Sequence, residues 1–310
     1  MTLLRTPDLA VDLGTARIRV AGGRAGFCER PANPATGATM ERGVVVDASA
    51  ASRILHPMFK ERRRLGGTKM RVLACAPTDV SPLERNLVRS CILEAGATSV
   101  IIVPEPLAAA VGSHVDIGSR YSKLMVDFGD GVTDCAVISD GRITASVAER
   151  TGCADLRRVI QRFAADATGI VISDSEADRI LRSLGTDREK PVMVEGTSRG
   201  QRSSAPIRPA NLYAELWPVM GLMLRPVKTL LENLDAGKGA EVIEDGIFLT
   251  GGGALIHGMR EAVAAATGIE TRVVKDPLGA VIRGACRMLP FASCLNLWKM
   301  WGTHQRTLPV

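Results

Sequence analysis

Apolar residues in this chain fall into short runs that end on a glycine or an acid, separated by longer stretches with helical spacing. Leu9-Ala10-Val11 leads into Asp12-Leu13-Gly14-Thr15, and Arg17 to Ala21 then alternates, so residues 8–22 read as a hairpin. Val72 to Ala76 is a continuous apolar run, as in a strand covered on both faces. A helix follows: Ser81 as N-cap, Pro82 first and Glu84 third make a capping box, Leu83, Leu87 and Cys91 share a face, and Gly96 ends it. Ser99 to Val103 is the next strand, running into Pro104-Glu105-Pro106 and a helical Leu107 to Val111. Leu124-Met125-Val126 leads into Asp127-Phe128-Gly129-Asp130-Gly131-Val132-Thr133, a partner strand covers Asp134 to Ser139, and Asp140-Gly141 signals a tight hairpin. Helical spacing marks about 153–167, 174–184 and 210–234, the last with Pro218 and Pro226 threatening kinks. Residues 29–43 and 197–206 lack a periodic pattern and read as a linker and a surface loop. Finally, Ile247-Phe248-Leu249 precedes Thr250-Gly251-Gly252-Gly253-Ala254, which opens a helix from Ala254 to Thr267 that Gly268 stops.

Three Gly-rich loops thus follow three apolar strands. Glycine lets backbone N–H groups approach a phosphate with no Cβ in the way. An aspartate beside such a nest repels a bare phosphate but suits one carrying Mg²⁺, which is held through oxygen and water. The three loops together read as a clamp on a metal-bound nucleotide. Strand, Gly-Asp loop, strands and helices occur twice, at Asp12 and at Asp127. That repetition predicts two similar α/β halves facing each other across a cleft, with the loops at the strand ends where ligands sit.

Length and charge narrow the rest. At 310 residues, with 46% hydrophobic and 4% aromatic, the chain predicts two domains with real cores. No run reaches the roughly 18 apolar residues of a spanning helix, and Met1 to Pro7 is too short for a signal peptide, so a cytoplasmic protein is expected. The seven cysteines, at 28, 75, 91, 135, 153, 286 and 294, form no Cys-x-x-Cys pair and read as reduced core residues. His56, His114, His257 and His304 make no metal or catalytic constellation. Part of the net charge of +6 lies in the Arg-rich stretch 60–71, a solvated loop or a contact with lipid head groups. No helix-turn-helix, zinc pattern or aromatic-basic interleaving supports nucleic acid.

The residues resemble the actin-like ATPase superfamily, and within it the MreB/Mbl-type bacterial actins. The match rests on Val11 to Ala16, on Ala76 to Arg85 with Leu93 to Ala97, on Glu105-Pro106-Leu107-Ala108-Ala109-Ala110-Val111-Gly112, on Val126 to Ser139, and on Leu249 to Leu255 followed by Asp276-Pro277-Leu278 and Gly284. It spans about residues 8–289. The resemblance implies an α/β, actin-like (ribonuclease H-like) two-domain fold. Domain I would be 1–140 plus 277–310, with a reduced small subdomain at about 29–47. Domain II would be 141–276, with a small subdomain at about 173–225. It further implies ATP and Mg²⁺ in the interdomain cleft, polymerisation with itself or a paralogous MreB-type protein, and work with cell-wall synthesis and membrane morphogenesis proteins under the cytoplasmic membrane. Roles follow residue by residue. Glu105 stands where the family orients the attacking water; taken alone it reads as a carboxylate on a helix dipole. Asp12 and Asp127 stand at the metal-facing aspartates, holding Mg²⁺ through water, with Asp127 also counted as catalytic. Gly14, Thr15, Ala16, Gly129, Asp130, Gly131 and Thr133 fall in the phosphate motifs. Gly251, Gly252, Gly253 and Ala254 form the adenosine motif, and Asp178 aligns with a ribose-holding glutamate.

Departures from the pattern predict weaker binding and slow hydrolysis. Asp130 replaces a glycine, Val132 a threonine, Arg17 and Ile18 an Asn-Thr pair, and Leu181 a lysine. Between Glu29 and Gly43 only a Pro/Gly linker stands where the family carries a small subdomain of several strands and a helix. The tail at 289–301, with two tryptophans, fits either a lipid interface or a docked helix or strand. Two other functions stay open: a nucleotide-binding, non-hydrolysing regulator of a full-length filament, and a sugar kinase-like phosphotransferase of the same superfold.

Overall fold

The structure, a computed structural model, describes residues 9–22, 26–33, 37–62, 70–185 and 190–291. The first half contains β1 (Leu9–Leu13), β2 (Arg17–Ala21), β3 (Phe27–Pro31), a small hairpin of β4 (Met40–Glu41) and β5 (Val44–Val45), α1 (Ala48–Arg62), β6 (Arg71–Ala76), α2 (Pro82–Glu94), β7 (Ser99–Pro104) and α3 (Glu105–Gly112). The second half contains β8 (Lys123–Phe128), β9 (Thr133–Ser139), β10 (Arg142–Glu149), α4 (Cys153–Thr168), α5 (Asp174–Ser183), β11 (Val192–Ser198), β12 (Gln201–Ile207), α6 (Pro209–Glu232), α7 (Ala236–Asp245), β13 (Ile247–Thr250), α8 (Met259–Thr267), β14 (Thr271–Val273) and α9 (Ala280–Met288).

The expected repetition is present in the topology. One sheet runs β3-β2-β1-β6-β7, the other β10-β9-β8-β13-β14. In each, a central strand carries an antiparallel pair on one side and parallel strands on the other. Tight turns can join only antiparallel neighbours, whereas parallel strands need a crossover. Asp12 and Asp127 therefore occupy equivalent places near the ends of β1 and β8, the central strands.

The core has three parts. α1 and α2 cover the outer face of the first sheet, and α4, α6 and α8 that of the second. Between the sheets lie α3 and α9, whose Leu107 to Ala110 and Ala280 to Ile282 pack with Leu73, Cys75, Met125, Ala136 and Ile138. α3 and α9 cross at Gly112 and Gly284, so close that a Cβ on Gly284 would stand 2.6 Å from the Ala108 carbonyl carbon and 2.8 Å from the Gly112 nitrogen. Glycine is needed there because backbone meets backbone.

Local signals held where they were strong. Ser81 and Glu84 form the reciprocal capping box of α2, and Asp140 (φ 49°) with Gly141 (φ 69°) makes the tight turn between β9 and β10. Of the seven cysteines, Cys28, Cys75, Cys91, Cys135 and Cys153 are free and buried, and Cys286 is half-buried.

Other expectations need correction. Residues 197–206 are no loop: β11 and β12 pair along their length around an Arg199-Gly200 turn, both at positive φ. Exposure alternates along both strands, but only Val194 and Ile207 are buried, and Gly196, Ser198 and Ser203 among the inward positions leave little apolar signal to mark the ribbon. The two ends of the expected linker, 29–43, are ordered: residues 27–31 form an edge strand on β2, and 40–45 a hairpin. α2 buries Val88, Cys91 and Ile92 while Leu83 stays 70% exposed. The third loop is a 3-10 turn, and α8 starts at Met259 because Gly258 (φ 83°) breaks the path. β8 and β9, residues 123–139, belong to the second sheet, so the chain crosses between the halves after α3 rather than at 140. The Arg-rich stretch from 63 to 69 and the tail from 292 onward lie outside the described residues, and so does Cys294.

Candidate functional site

The sheet ends bring four acids together. Asp12 and Asp127 end the two central strands, Glu105 opens α3 directly after β7, and Asp134 sits opposite Asp127 on β9. All four are buried. Burial, then Asp12, Asp127, Asp134 and Asp79, push the Glu105 carboxyl well above its usual range. Burial, then Asp12, raise Asp127 to about 7, with Arg19 opposing. Burial also raises Asp134 to about 8. Packing like charges into a dry pocket favours protons until a cation arrives.

Two of these acids have partners. Arg19 stands directly opposite Asp12 in the β1–β2 ladder and donates from Nη1 to Asp12 Oδ2 at 3.1 Å, its Nε going to Glu29. Burial raises the Asp12 carboxyl and Arg19 pulls against that. Asp134 accepts from the Thr78 backbone N–H at 2.7 Å and engages its hydroxyl at 2.5 Å, tying β9 to the loop after β6. Asp127 Oδ1, by contrast, is buried with no hydrogen-bond partner among the described residues. Such an orphan oxygen suits a cation's shell.

The Gly-rich loops converge on this cluster. Gly14 is required because a Cβ would stand 2.9 Å from the Arg17 carbonyl oxygen. The Thr15 hydroxyl accepts from the Gly43 N–H at 2.8 Å. Gly131 packs against Thr15 and the Arg42 backbone, so the first two loops meet under the β4–β5 turn. The second loop is fastened to the start of α4, where Cys153 and Ala154 N–H groups donate to the carbonyls of Gly129 and Asp130. In the third loop Gly251 (φ 81°) passes over the Phe128 carbonyl beside Asp127 Oδ1, and Gly253 rests on the Phe128 Cβ. Gly252 is half-buried and Ala254 buried.

Several predicted site residues are less free than their motifs imply. The Asp130 carboxylate is held by both Nη atoms of Arg157, at 2.5 and 3.2 Å, and Arg157 Nε reaches Asp174. The extra acid is thereby turned into an ion pair. Thr133 is fully buried and its hydroxyl donates to the Thr151 carbonyl, which commits it to the fold. Val132 is buried near Gly43. Asp178 pairs with Arg182 one turn on; the nearby Cys153 thiol is raised chiefly by burial, then by Asp130, with Asp178 adding to it, and Cys153 lies beside Gly253. Arg19, Arg157 and Thr78 were missed. Arg19 was legible, since a tight turn after Asp12 puts it opposite; Arg157 and Thr78 lie 27 and 56 residues from their acids, and no local pattern reveals them.

One orphan aspartate oxygen, one aspartate half-occupied by Arg19 and a protonatable glutamate do not form a protein cage, and the described residues hold no group of three metal-ligating side chains. Mg²⁺ does not ask for one: it keeps most of its waters and takes one or two carboxylates plus phosphate oxygens. The residues fit an ion held in that manner. A separate cavity of about 450 Å³, lined by Tyr213, Trp217, Met220 and His257, contains none of these residues. No helix among the described residues is long and apolar enough to cross a membrane.

The family model for MreB/Mbl proteins matches residues 28–296. Cell shape-determining protein MreB of Pasteurella multocida is 28% identical over 255 residues, 79% of this chain and 73% of its own. Cell shape-determining protein Mbl of Bacillus subtilis is 24% identical over 297 residues, 93% of this chain and 89% of its own. MreB5 of Spiroplasma citri bound to AMPPNP superposes with a TM-score of 0.84 at 24% identity, covering 94% of this chain and 98% of that one. The MamK double helical filament follows at 0.75 and 18%, covering 91% and 98%. At those identities the structures speak for the fold, which is actin-like.

Proposed function

Because this chain belongs to the MreB/Mbl family of actin-like cytoskeletal proteins, we propose that it binds ATP with Mg²⁺ between its two sheets and uses the nucleotide to control filament assembly in cell-shape and cell-wall morphogenesis. The observation that carries this reading is the paired placement of Asp12 and Asp127 at the ends of equivalent central strands, with Glu105 and three Gly-rich turns around them. The solved MreB5 is bound to AMPPNP or ADP, and MamK is a double helical filament, which supports the reading by likeness.

On this reading the residues divide the work. Backbone N–H groups at Gly14 to Ala16 and Gly129 to Gly131 receive the phosphates, with Asp130 neutralised by Arg157. Gly251 to Ala254 and Asp178 receive the adenosine. Asp127, with the free edge of Asp12, holds the hydrated metal, whose charge neutralises the triphosphate. Glu105 orients the attacking water. Phosphoryl transfer needs positioning and charge more than covalent help, so a Glu105 carboxyl that burial and its acidic neighbours hold well above its usual range, and a valine rather than a hydroxyl at position 132, make turnover slow. Lipid contact through 60–71 or 289–301 belongs to the same proposal.

The test measures ATP binding, phosphate release and pelleting by the full chain beside Asp127→Asn and Glu105→Gln. The expected result is binding in the parent and in Glu105→Gln, weakened binding in Asp127→Asn, and turnover and nucleotide-dependent pelleting in the parent alone. No binding by the parent would overturn the reading. Binding without turnover, with pelleting only beside a full-length relative, would replace it by the regulator.

A further inference from the structure

We propose that Arg19 is a resident cation of the phosphate site, doing part of the charge neutralisation that a divalent metal supplies, so that nucleotide binding survives withdrawal of Mg²⁺. The inference rests on the nucleotide-binding reading above.

The cleft is crowded with acids: Asp12, Glu105 and Asp127 are each at least nine-tenths buried and lie within one another's field, so an anionic ligand needs a cation beside them. Arg19 is the cation whose field opposes burial at both Asp12 and Asp127. It is fixed by the fold rather than by chance contact. The turn at Gly14 and Thr15 sets a register in which Arg19 is the direct cross-strand partner of Asp12, and its side chain is only 16% exposed. The neighbouring arginines are occupied elsewhere: Arg157 by Asp130 and Asp174, Arg150 by Asp79 and the Arg42 carbonyl.

Arg19 also retains unused capacity. Its Nε serves Glu29 and its Nη1 serves Asp12, while Nη2 takes no acceptor among the described residues. A planar guanidinium with hydrogens to spare suits phosphate oxygens, and it stays charged at every working pH. A purely structural ion pair would tie β1 to β2 without meeting phosphate, and the parent would then lose nucleotide on Mg²⁺ withdrawal as fully as Arg19→Met does. A resident cation predicts a change in metal dependence, and that separates the two roles.

The experiment titrates the full chain with a non-hydrolysable ATP analogue, once with Mg²⁺ and once with EDTA, for the parent, Arg19→Met and Arg19→Lys. The quantity read is the ratio of the two dissociation constants. The parent is expected to lose less than about tenfold on EDTA, Arg19→Met roughly a hundredfold, and Arg19→Lys to fall between, as for a desolvated charge contact. Equal ratios in parent and Arg19→Met would overturn the inference and leave the nucleotide reading standing. No binding by the parent even with Mg²⁺ would sink both. Should Arg19→Met not fold, the parent and Arg19→Lys still decide, because a hundredfold loss in the parent is the contrary result.

Discussion

Gly284→Ala is the substitution whose sign the structure fixes most firmly. In α9, as in any helix interior, replacing glycine by alanine gains up to about 1 kcal/mol of propensity. At this site the new methyl would stand 2.6 Å from the Ala108 carbonyl carbon and 2.8 Å from the Gly112 nitrogen, with the Ala108 oxygen closer still. All three are backbone atoms, and no rotamer can move them aside. Restoring a contact of about 3.5 Å requires α3 and α9 to part by roughly 1 Å or more. That opens the layer between the sheets, where Leu107, Ala108, Ala109, Ala280 and Ala285 are almost wholly buried. Overpacking of this kind costs about 1–3 kcal/mol, occasionally more, and the propensity gain offsets up to about 1 kcal/mol of it, so the net loss is about 1–2 kcal/mol. Gly221→Ala in α6 is the matched control. It too sits inside a helix, with nothing within 4 Å of an added Cβ, so it should gain about 0.5–1 kcal/mol. Urea unfolding of the three proteins reads both effects from the midpoints at constant slope. A Gly284→Ala protein as stable as the parent would refute the close-crossing argument.

Three further outcomes are expected. Arg157→Met leaves the Asp130 carboxylate unpaired beside the phosphate loops; it should lose about 2–3 kcal/mol in urea unfolding, and Asp130→Gly in the same chain should restore much of that, since the pair is one unit. In the nucleotide-free protein, the folded state holds protons on Asp127 up to about 7 and on Asp134 up to about 8, which the unfolded chain releases near 4. Stability is therefore fully present below that lower value and falls as pH rises towards 8, by at most about 1.4 kcal/mol per unit and group. Asp134→Asn, which can still accept from the Thr78 N–H and bond its hydroxyl, should flatten that fall in denaturation measured from pH 5 to 8. Finally, phosphate release should rise with pH as Glu105 loses its proton; Glu105→Gln should lower it by about a hundredfold and erase the pH dependence while leaving binding in place. An unchanged profile in that variant would remove Glu105 from the reaction.

What the chain determined by itself is local. Asp12, Asp127 and Glu105 were legible because each closes a short apolar run, which puts Asp12 and Asp127 next to last in β1 and β8 and Glu105 directly after β7, all at a sheet end. The capping box at Ser81, the turn at Asp140-Gly141 and the stop at Gly268 follow from the φ values and hydrogen-bond needs of single residues. The repeat of strand, loop and hairpin announced two matching sheets. The tertiary structure decided which charges meet. That Asp130 is quenched by Arg157, that Asp134 reaches across to Thr78, and that Thr133 is spent on Thr151 depend on α4, β6 and β10 packing where they do. The membership of β8 and β9 in the second sheet, and the ribbon at 192–207, were hidden for the same reason. A strand's partner, and the neutralisation of a buried charge, depend on residues far along the sequence, brought near only when the apolar layers close.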